Sequence, residues 1–246
     1  MKIISLTGIR SEYDILFPLL TKIKKNKIQL QLVVSGAHLE KKHGETWKMI
    51  SKDGFHIIKK IKSLPKTNRL IQRPKAISIL IEKFSKVVEK ENPDIILVVG
   101  DREEAISAAI VGNYMKKIVL HIGGGDEAYG NTDDPIRFSI SKLVNIHCCT
   151  SQLSYNNLLK IGEEKFRVFN TGNPYFANIA NEKKINKSNL MRSLKINKRH
   201  HNFIVFIKHP LSSELHQLEE QLKITFQAIE NFCLENNFAI ICISPN

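Results

Sequence analysis

No stretch of this 246-residue chain approaches the roughly 20 consecutive apolar residues that a bilayer-spanning helix needs. The first apolar run, Lys2 to Leu6, is too short for the core of a secretory signal and runs straight into Gly8-Ile9-Arg10. A soluble cytoplasmic protein with no membrane partner is the expectation. Cysteine is scarce: Cys148, Cys149, Cys233 and Cys242 form no CxxC pair. Free buried thiols are therefore expected and no metal site, since structural metal ligands recur at fixed spacings. Tryptophan occurs once, and no basic helix is interleaved with stacking aromatics, so the net charge of +13 does not by itself point to nucleic acid. Lysines such as Lys22, Lys24, Lys25, Lys83, Lys86 and Lys90 read as solvated helix faces, and their field favours a small anionic substrate. The glycine run Gly123-Gly124-Gly125 lacks the GxGxxG spacing of a dinucleotide site.

What is present is alternation. At 42% hydrophobic and 25% charged residues, the chain is able to bury a substantial core. Short apolar runs bounded by Gly, Pro, Asn or Asp predict strands at about 2–7, 29–34, 94–99, 117–122, 145–149, 167–170, 202–208 and 238–244. Amphipathic segments near 12–25, 40–52, 74–91, 102–115, 134–144, 151–161, 186–194 and 213–236 predict helices between them. Ile77, Leu80, Ile81, Phe84, Val87 and Val88 draw one apolar stripe. Strands alternating with helices mean βαβ units and a parallel sheet, an α/β Rossmann-like lobe. The polar segment after residue 179 suggests a boundary, giving lobes at 1–178 and 179–246. The second holds only one strand–helix–strand before Ser244-Pro245-Asn246, so an incomplete second Rossmann-like lobe is expected.

The chemistry-bearing residues gather at predicted strand ends and helix starts. Ile95–Val99 runs into Gly100-Asp101-Arg102, Ile118–Leu120 into His121 and the glycine run with Asp126, and Asp133-Asp134 precedes Arg137 by one helical turn. In an open parallel sheet such ends face one crevice, where ligands bind. Carboxylates and cations together there suit a phosphate-bearing ligand with acid–base chemistry beside it. Asp133 and Arg137 share a helix face, so a buried Arg137 would hold Asp133 ionised.

In order along the chain, several segments resemble the UDP-N-acetylglucosamine 2-epimerase family, in particular its hydrolysing branch. Thr7-Gly8-Ile9-Arg10-Ser11-Glu12-Tyr13 resembles the first-strand G-T-R motif, and Ser35-Gly36-Ala37-His38-Leu39 the second-strand turn. Gly100-Asp101-Arg102 with Glu104 resembles the GDR motif of the hydrolysing branch. His121-x-Gly123-Gly124-Gly125-Asp126, then Asp133-Asp134-x-x-Arg137-x-Ser139-Ile140-x-Lys142-Leu143, resembles the next two signatures. Gly162-Glu163, Thr171-Gly172-Asn173-Pro174 and Lys208-His209-Pro210 resemble the end of the first lobe and the opening of the second.

The resemblance implies two Rossmann-like lobes of glycosyltransferase-B type, a UDP-sugar substrate, a homo-oligomer and no cofactor. It implies elimination of UDP across C1–C2 and rehydration of the resulting glycal, releasing UDP and N-acetylmannosamine or a related 2,4-diacetamido sugar for nonulosonic-acid synthesis. Asp101, Asp126, Asp133, Arg137 and His209 fall at catalytic positions, with Asp101 and Asp133 as base and acid in either order. Arg10, His38, Arg102, Glu104, His121, Gly124 and Gly125 fall at substrate-binding ones. Gly123 stands where many members carry glutamate, and Phe138 where they carry histidine. A related branch acting on 2,4-diacetamido sugars has an acid where Asp126 stands. A two-lobe glycosyltransferase and a truncated, inactive copy that binds only nucleotide or a partner are the alternatives.

Overall fold

The computed structural model describes residues 1–64, 67, 69, 71–127, 133–181, 184–209 and 212–243, the side chains of Asp133, Asn181, Ser212, Ser213 and Leu215 excepted. The Asp133 carboxylate, Pro210 and Ser244-Pro245-Asn246 thus lie outside the described residues.

β1 (Lys2–Thr7), β2 (Gln29–Ser35), β3 (Ile57–Ile61), β4 (Ile95–Val99), β5 (Ile118–Ile122), β6 (Ile146–Cys149) and β7 (Val168–Asn170) form one sheet in the order β3-β2-β1-β4-β5-β6-β7. Every pairing in it is parallel. Parallel neighbours need crossover connections, and helices α1 (Arg10–Lys25), α2 (Trp47–Lys52), α3 (Gln72–Glu91), α4 (Glu103–Tyr114), α5 (Asp133–Leu143) and α6 (Gln152–Lys160) supply them. The central strands are apolar nearly throughout because both faces are covered. On one face Ile4, Leu6, Ile96 and Val98 pack against Leu80, Phe84 and Val88 of α3, Ala108 and Ala109 of α4, and Ile140 of α5. On the other, the alternate residues Ile3, Leu97 and Val99 meet Tyr13, Leu16 and Leu20 of α1 and Ile50 of α2.

Strand order reverses between β1 and β4. That switch point opens a crevice between the turn after β1 and the turn after β4, which places the candidate site. α1 begins at Arg10 rather than near residue 12, and the Glu12 carboxylate in its first turn accepts from the Gly8 N–H, just ahead of the helix, at 2.7 Å. Pro74 stands in the first turn of α3, where its missing N–H costs nothing.

Cα packing divides the chain into Met1–Asn181, which ends in the short helix α7 (Phe176–Asn181), and Glu182–Asn246. The second unit, taken by itself, holds α8 (Lys187–Ser193) and two parallel strands, β8 (Asn202–Ile207) and β9 (Phe238–Ile243), crossed over by α9 (Leu218–Asn236). Some elements differ from the sequence expectation, the short α7 among them. β3 was not expected, and the stretch 40–52 is a 3-10 turn, Lys41–His43, followed by the short α2. Among the described residues no helix is long and apolar enough to cross a membrane.

Phe84 is fully buried at the centre of the α3–α4 face. Phe84→Ala is expected to lower unfolding stability by about 3–5 kcal/mol, read as a shift of the urea midpoint followed by circular dichroism.

Candidate active site

Three turns at the C-terminal ends of β4, β5 and β6 build the rim of the crevice. Gly123 and Gly125 take φ of +83° and +80°, which lets the chain double back after β5 and carry Asp126 to the rim. A Cβ on Gly125 would stand 2.2 Å from the Ser154 carbonyl oxygen, so the loop lies directly on α6. Asn157 Nδ2 fixes it there, donating to the Gly125 carbonyl at 3.1 Å.

Arg137 reaches from α5 across this loop. Its Nη1 donates to the Asp126 carbonyl at 2.9 Å, and its Nη2 donates to Asp101 Oδ2 in an ion pair. The two side chains are 14% and 19% exposed, so the pair is largely shielded from water yet open to a ligand at the rim. The carboxylate described against Arg137 is thus Asp101, 36 residues away in sequence. Asp133 is the first residue of α5, one turn before Arg137.

Asp126 is anchored by one carboxylate oxygen. Oδ1 accepts from Thr150 Oγ1 at 2.8 Å and from Ser154 Oγ, while Oδ2 faces Gly123, 3.7 Å from where a Cβ there would begin. A carboxylate therefore borders the space above Gly123 although residue 123 has no side chain.

The other sequence candidates divide. Arg10 is exposed at the start of α1, 3.5 Å from Asp14. Arg102 precedes α4 and lines a 410 Å³ cavity with Lys42, His43, Arg69, Arg73 and Glu103. His209 follows β8 in the second unit and is exposed. His38, His121, Glu104 and Gly124, by contrast, are set into the interior beneath the rim. His38 Nδ1 meets Thr46 Oγ1 at 2.7 Å and Nε2 meets Thr7 Oγ1 at 3.2 Å, which uses both ring nitrogens. His121 Nε2 bonds the Gly100 carbonyl at 2.7 Å, holding the turn that carries Asp101. Gly124 packs against that ring: a Cβ would lie 3.1 Å from His121 Nδ1. Gly124 and Gly125 therefore turn their Cα atoms to protein rather than to a ligand.

Glu12 has no role in the sequence reading beyond its place in a motif, yet it is buried with Glu104 under the crevice. Glu12 Oε2 accepts from the Gly8 N–H and from Thr7 Oγ1 at 3.0 Å, and Glu104 Oε1 accepts from Ser35 Oγ at 2.7 Å. The available signal was a glutamate three residues into a helix that follows a glycine turn.

A sequence model of the UDP-N-acetylglucosamine 2-epimerase family matches residues 21–246. The chain belongs to that family. It is 33% identical over 230 residues to the GDP/UDP-N,N′-diacetylbacillosamine 2-epimerase (hydrolyzing) of Campylobacter jejuni, covering 93% of this chain and 59% of the relative. It is 31% identical over 248 residues to the UDP-N,N′-diacetylbacillosamine 2-epimerase (hydrolyzing) of Legionella pneumophila, covering 100% and 64%. The chain thus spans about three fifths of the length of these relatives. The crystal structure of the Neisseria meningitidis UDP-GlcNAc 2-epimerase bound to UDP-GlcNAc shares the fold, with a TM-score of 0.80 at 20% identity, covering 100% of this chain and 66% of that one.

Two outcomes follow from this geometry. Arg137→Gln leaves Asp101 shielded without its cation and is expected to cost about 1.5–3 kcal/mol in urea denaturation. Burial, the largest cause, pushes both His38 and His121 down from the ordinary 6.5 to about 4. The folded state then binds fewer protons than the unfolded state between those values. Stability is complete above pH 6.5 and falls as the pH drops through that window. Urea midpoints taken across it should decline, and His121→Gln should flatten part of the slope.

Proposed function

We propose that this chain binds a UDP-linked 2,4-diacetamido sugar of the N,N′-diacetylbacillosamine class and takes part in its hydrolysing 2-epimerisation. The observation that carries the proposal is the Arg137 centre, which holds Asp101 and the Asp126 loop together at the rim of the switch-point crevice. Both hydrolysing relatives above bear the name of that sugar, which supports the choice of substrate. So does Asp126, whose Oδ2 faces the space over Gly123.

In this reading one carboxylate, from Asp101 or Asp133, removes the proton at C2 while the C1–O bond to the diphosphate breaks. The C2–H electron pair forms the C1=C2 bond of a glycal, and UDP leaves with the C1–O pair. Water then adds its hydroxyl to C1 while the other acid delivers a proton to C2 from the opposite face. The sum is UDP-sugar plus water giving UDP and the free 2-epimer, so no redox cofactor is required. Arg10 with the start of α1, together with Arg102, offers positive charge to the departing phosphates. Arg137 keeps Asp101 in place, while Thr150 and Ser154 aim Asp126. Assembly as a homo-oligomer belongs to the same reading.

Incubating the chain with UDP-N,N′-diacetylbacillosamine should release UDP and a free sugar inverted at C2. Asp101→Asn is expected to slow this by about 10²–10⁴-fold. Retention at C2 with transfer to an acceptor, seen by NMR of the product, would instead assign a glycosyltransferase.

A further inference from the structure

Two carboxyl groups are buried against one glycine beneath the crevice, where ordinary electrostatics would keep them apart. Glu12 enters from α1 and Glu104 from α4, helices on opposite faces of the sheet, and the residues are only 6% and 4% exposed. Gly8 touches both. Its N–H bonds Glu12 Oε2 at 2.7 Å, and a Cβ on it would stand 2.2 Å from the Glu104 carboxyl carbon. Gly36 closes the other side, where a Cβ would stand 2.8 Å from Glu104 Oε1. Each carboxyl has one oxygen satisfied: Glu12 Oε2 by Gly8 and Thr7, Glu104 Oε1 by Ser35. The remaining oxygens, Glu12 Oε1 and Glu104 Oε2, are buried with no hydrogen-bond partner among the described residues.

Among the described residues two acceptors are left over, and the donor nearest to them, Arg102 Nε, is itself unpartnered at 3.9 Å from Glu104 Oε2, beyond hydrogen-bond reach. Two ionised carboxylates there would leave both bare in a low-dielectric interior, which is costly. One proton held by the pair supplies the missing donor and halves the charge. The charged and titratable groups that face the pair are few. Arg102 Nε lies 3.9 Å from Glu104 Oε2 and Arg102 Nη2 lies 3.8 Å from Glu103 Oε2. Glu103 itself is held by Arg73 at 2.7 Å, and His38, neutral in the core, reaches Glu12 only through the Thr7 hydroxyl. Among the described residues one cation, Arg102, thus opposes the pair directly, matching a single negative charge.

We propose that Glu12 and Glu104 hold one proton between them and, so joined, clamp the Gly8–Arg10 turn to the Asp101–Arg102 turn as positioning residues for the crevice. The positioning role rests on the reading of that crevice as the sugar-nucleotide site; the shared proton does not. Neither residue touches substrate in this arrangement. The clamp crosses the switch point, where the turns after the paired strands β1 and β4 lead to helices on opposite faces of the sheet. Burial, the largest influence, followed by the charge of Glu104, pushes Glu12 up to about 8, and burial raises Glu104 in the same direction. A proton that the folded state keeps and the unfolded state releases stabilises the fold fully below the ordinary 4.5. That contribution is lost as pH rises from there through about 8.

Glutamine replaces a protonated carboxyl by an N–H donor of the same shape, so it sorts the outcomes. Urea midpoints are measured from mildly acidic to alkaline pH for the unaltered chain, Glu12→Gln, Glu104→Gln and the double variant. The unaltered midpoint is expected to fall on the alkaline side, and each single variant to remove that fall while folding normally. The double variant, with two amides and no carboxylate opposite Arg102, should be less stable than either single one. Carbon-13 titration of the glutamate carboxyls in the unaltered chain reads the proton directly, and two signals near the ordinary carboxylate range would overturn the proposal even if a variant failed to fold. Additive single variants, or single variants that keep the alkaline fall, would overturn it too. For the positioning role, kcat/KM for the UDP-sugar should drop about tenfold per pH unit above the deprotonation of the pair, and Glu104→Gln should abolish that limb. Loss of the stability signature alone defeats the shared proton. Its presence without the kinetic limb defeats the clamp, and an intact signature in a chain that turns over no UDP-sugar defeats the sugar reading instead.

Discussion

Arg137 reaches from α5 to the turn after β4 and to the loop after β5, so one guanidinium spans two successive strand ends. Such a planar fork suits the task, since two donors leave it in fixed directions and take an acid and a backbone carbonyl at once. The rim depends on this because its other parts are loops. The glycine run after β5 has no side chains of its own to hold it. It is kept in place by Arg137 from one side and by Asn157 from the other. The family placement rests on a match along most of the chain, but the geometry of the rim rests on this one residue.

Under the rim lies a second, buried layer. His121 holds the Gly100 carbonyl, His38 joins Thr7 to Thr46, and Glu12 and Glu104 fill the floor of the switch point. Interior polar groups are retained when their bonds are satisfied or nearly so. Here they connect the turns that face the crevice, which have no helix or strand to brace them. The layer costs desolvation and returns fixed geometry at the rim of the crevice.

Much of this was legible in the sequence because parallel strands covered on both faces read as unbroken apolar runs. Lys2–Thr7, Ile95–Val99 and Ile118–Ile122 announce themselves in that way. β3 did not, because Ile57–Ile61 is short, carries two lysines and has a neighbour on one side only. The strand-end residues were legible as a group, whereas their depths were not. His38 stands in the turn after β2 and His121 near the end of β5, close in sequence to strand ends like Asp101 and Asp126, and nothing in spacing distinguishes a side chain pointing to the crevice from one pointing to the core. Arg137 also has a partner that periodicity does not propose: the tertiary fold brings Asp101 to it from 36 residues off, while the Asp133 carboxylate one turn away lies outside the described residues. Glu12 and Glu104 are the sharpest case, since a charged residue at a helix start is ordinarily solvated.

The outermost strands of the seven-stranded sheet are guarded against pairing with a neighbouring molecule. Lys59 and Lys60 are exposed on β3, with Lys60 lying over the Trp47 ring, and β7 is only three residues long. A lysine-bearing border and a border too short to template another chain both discourage edge-to-edge polymerisation. The feature that hid β3 from the sequence thus keeps a fully parallel sheet from growing into a fibril.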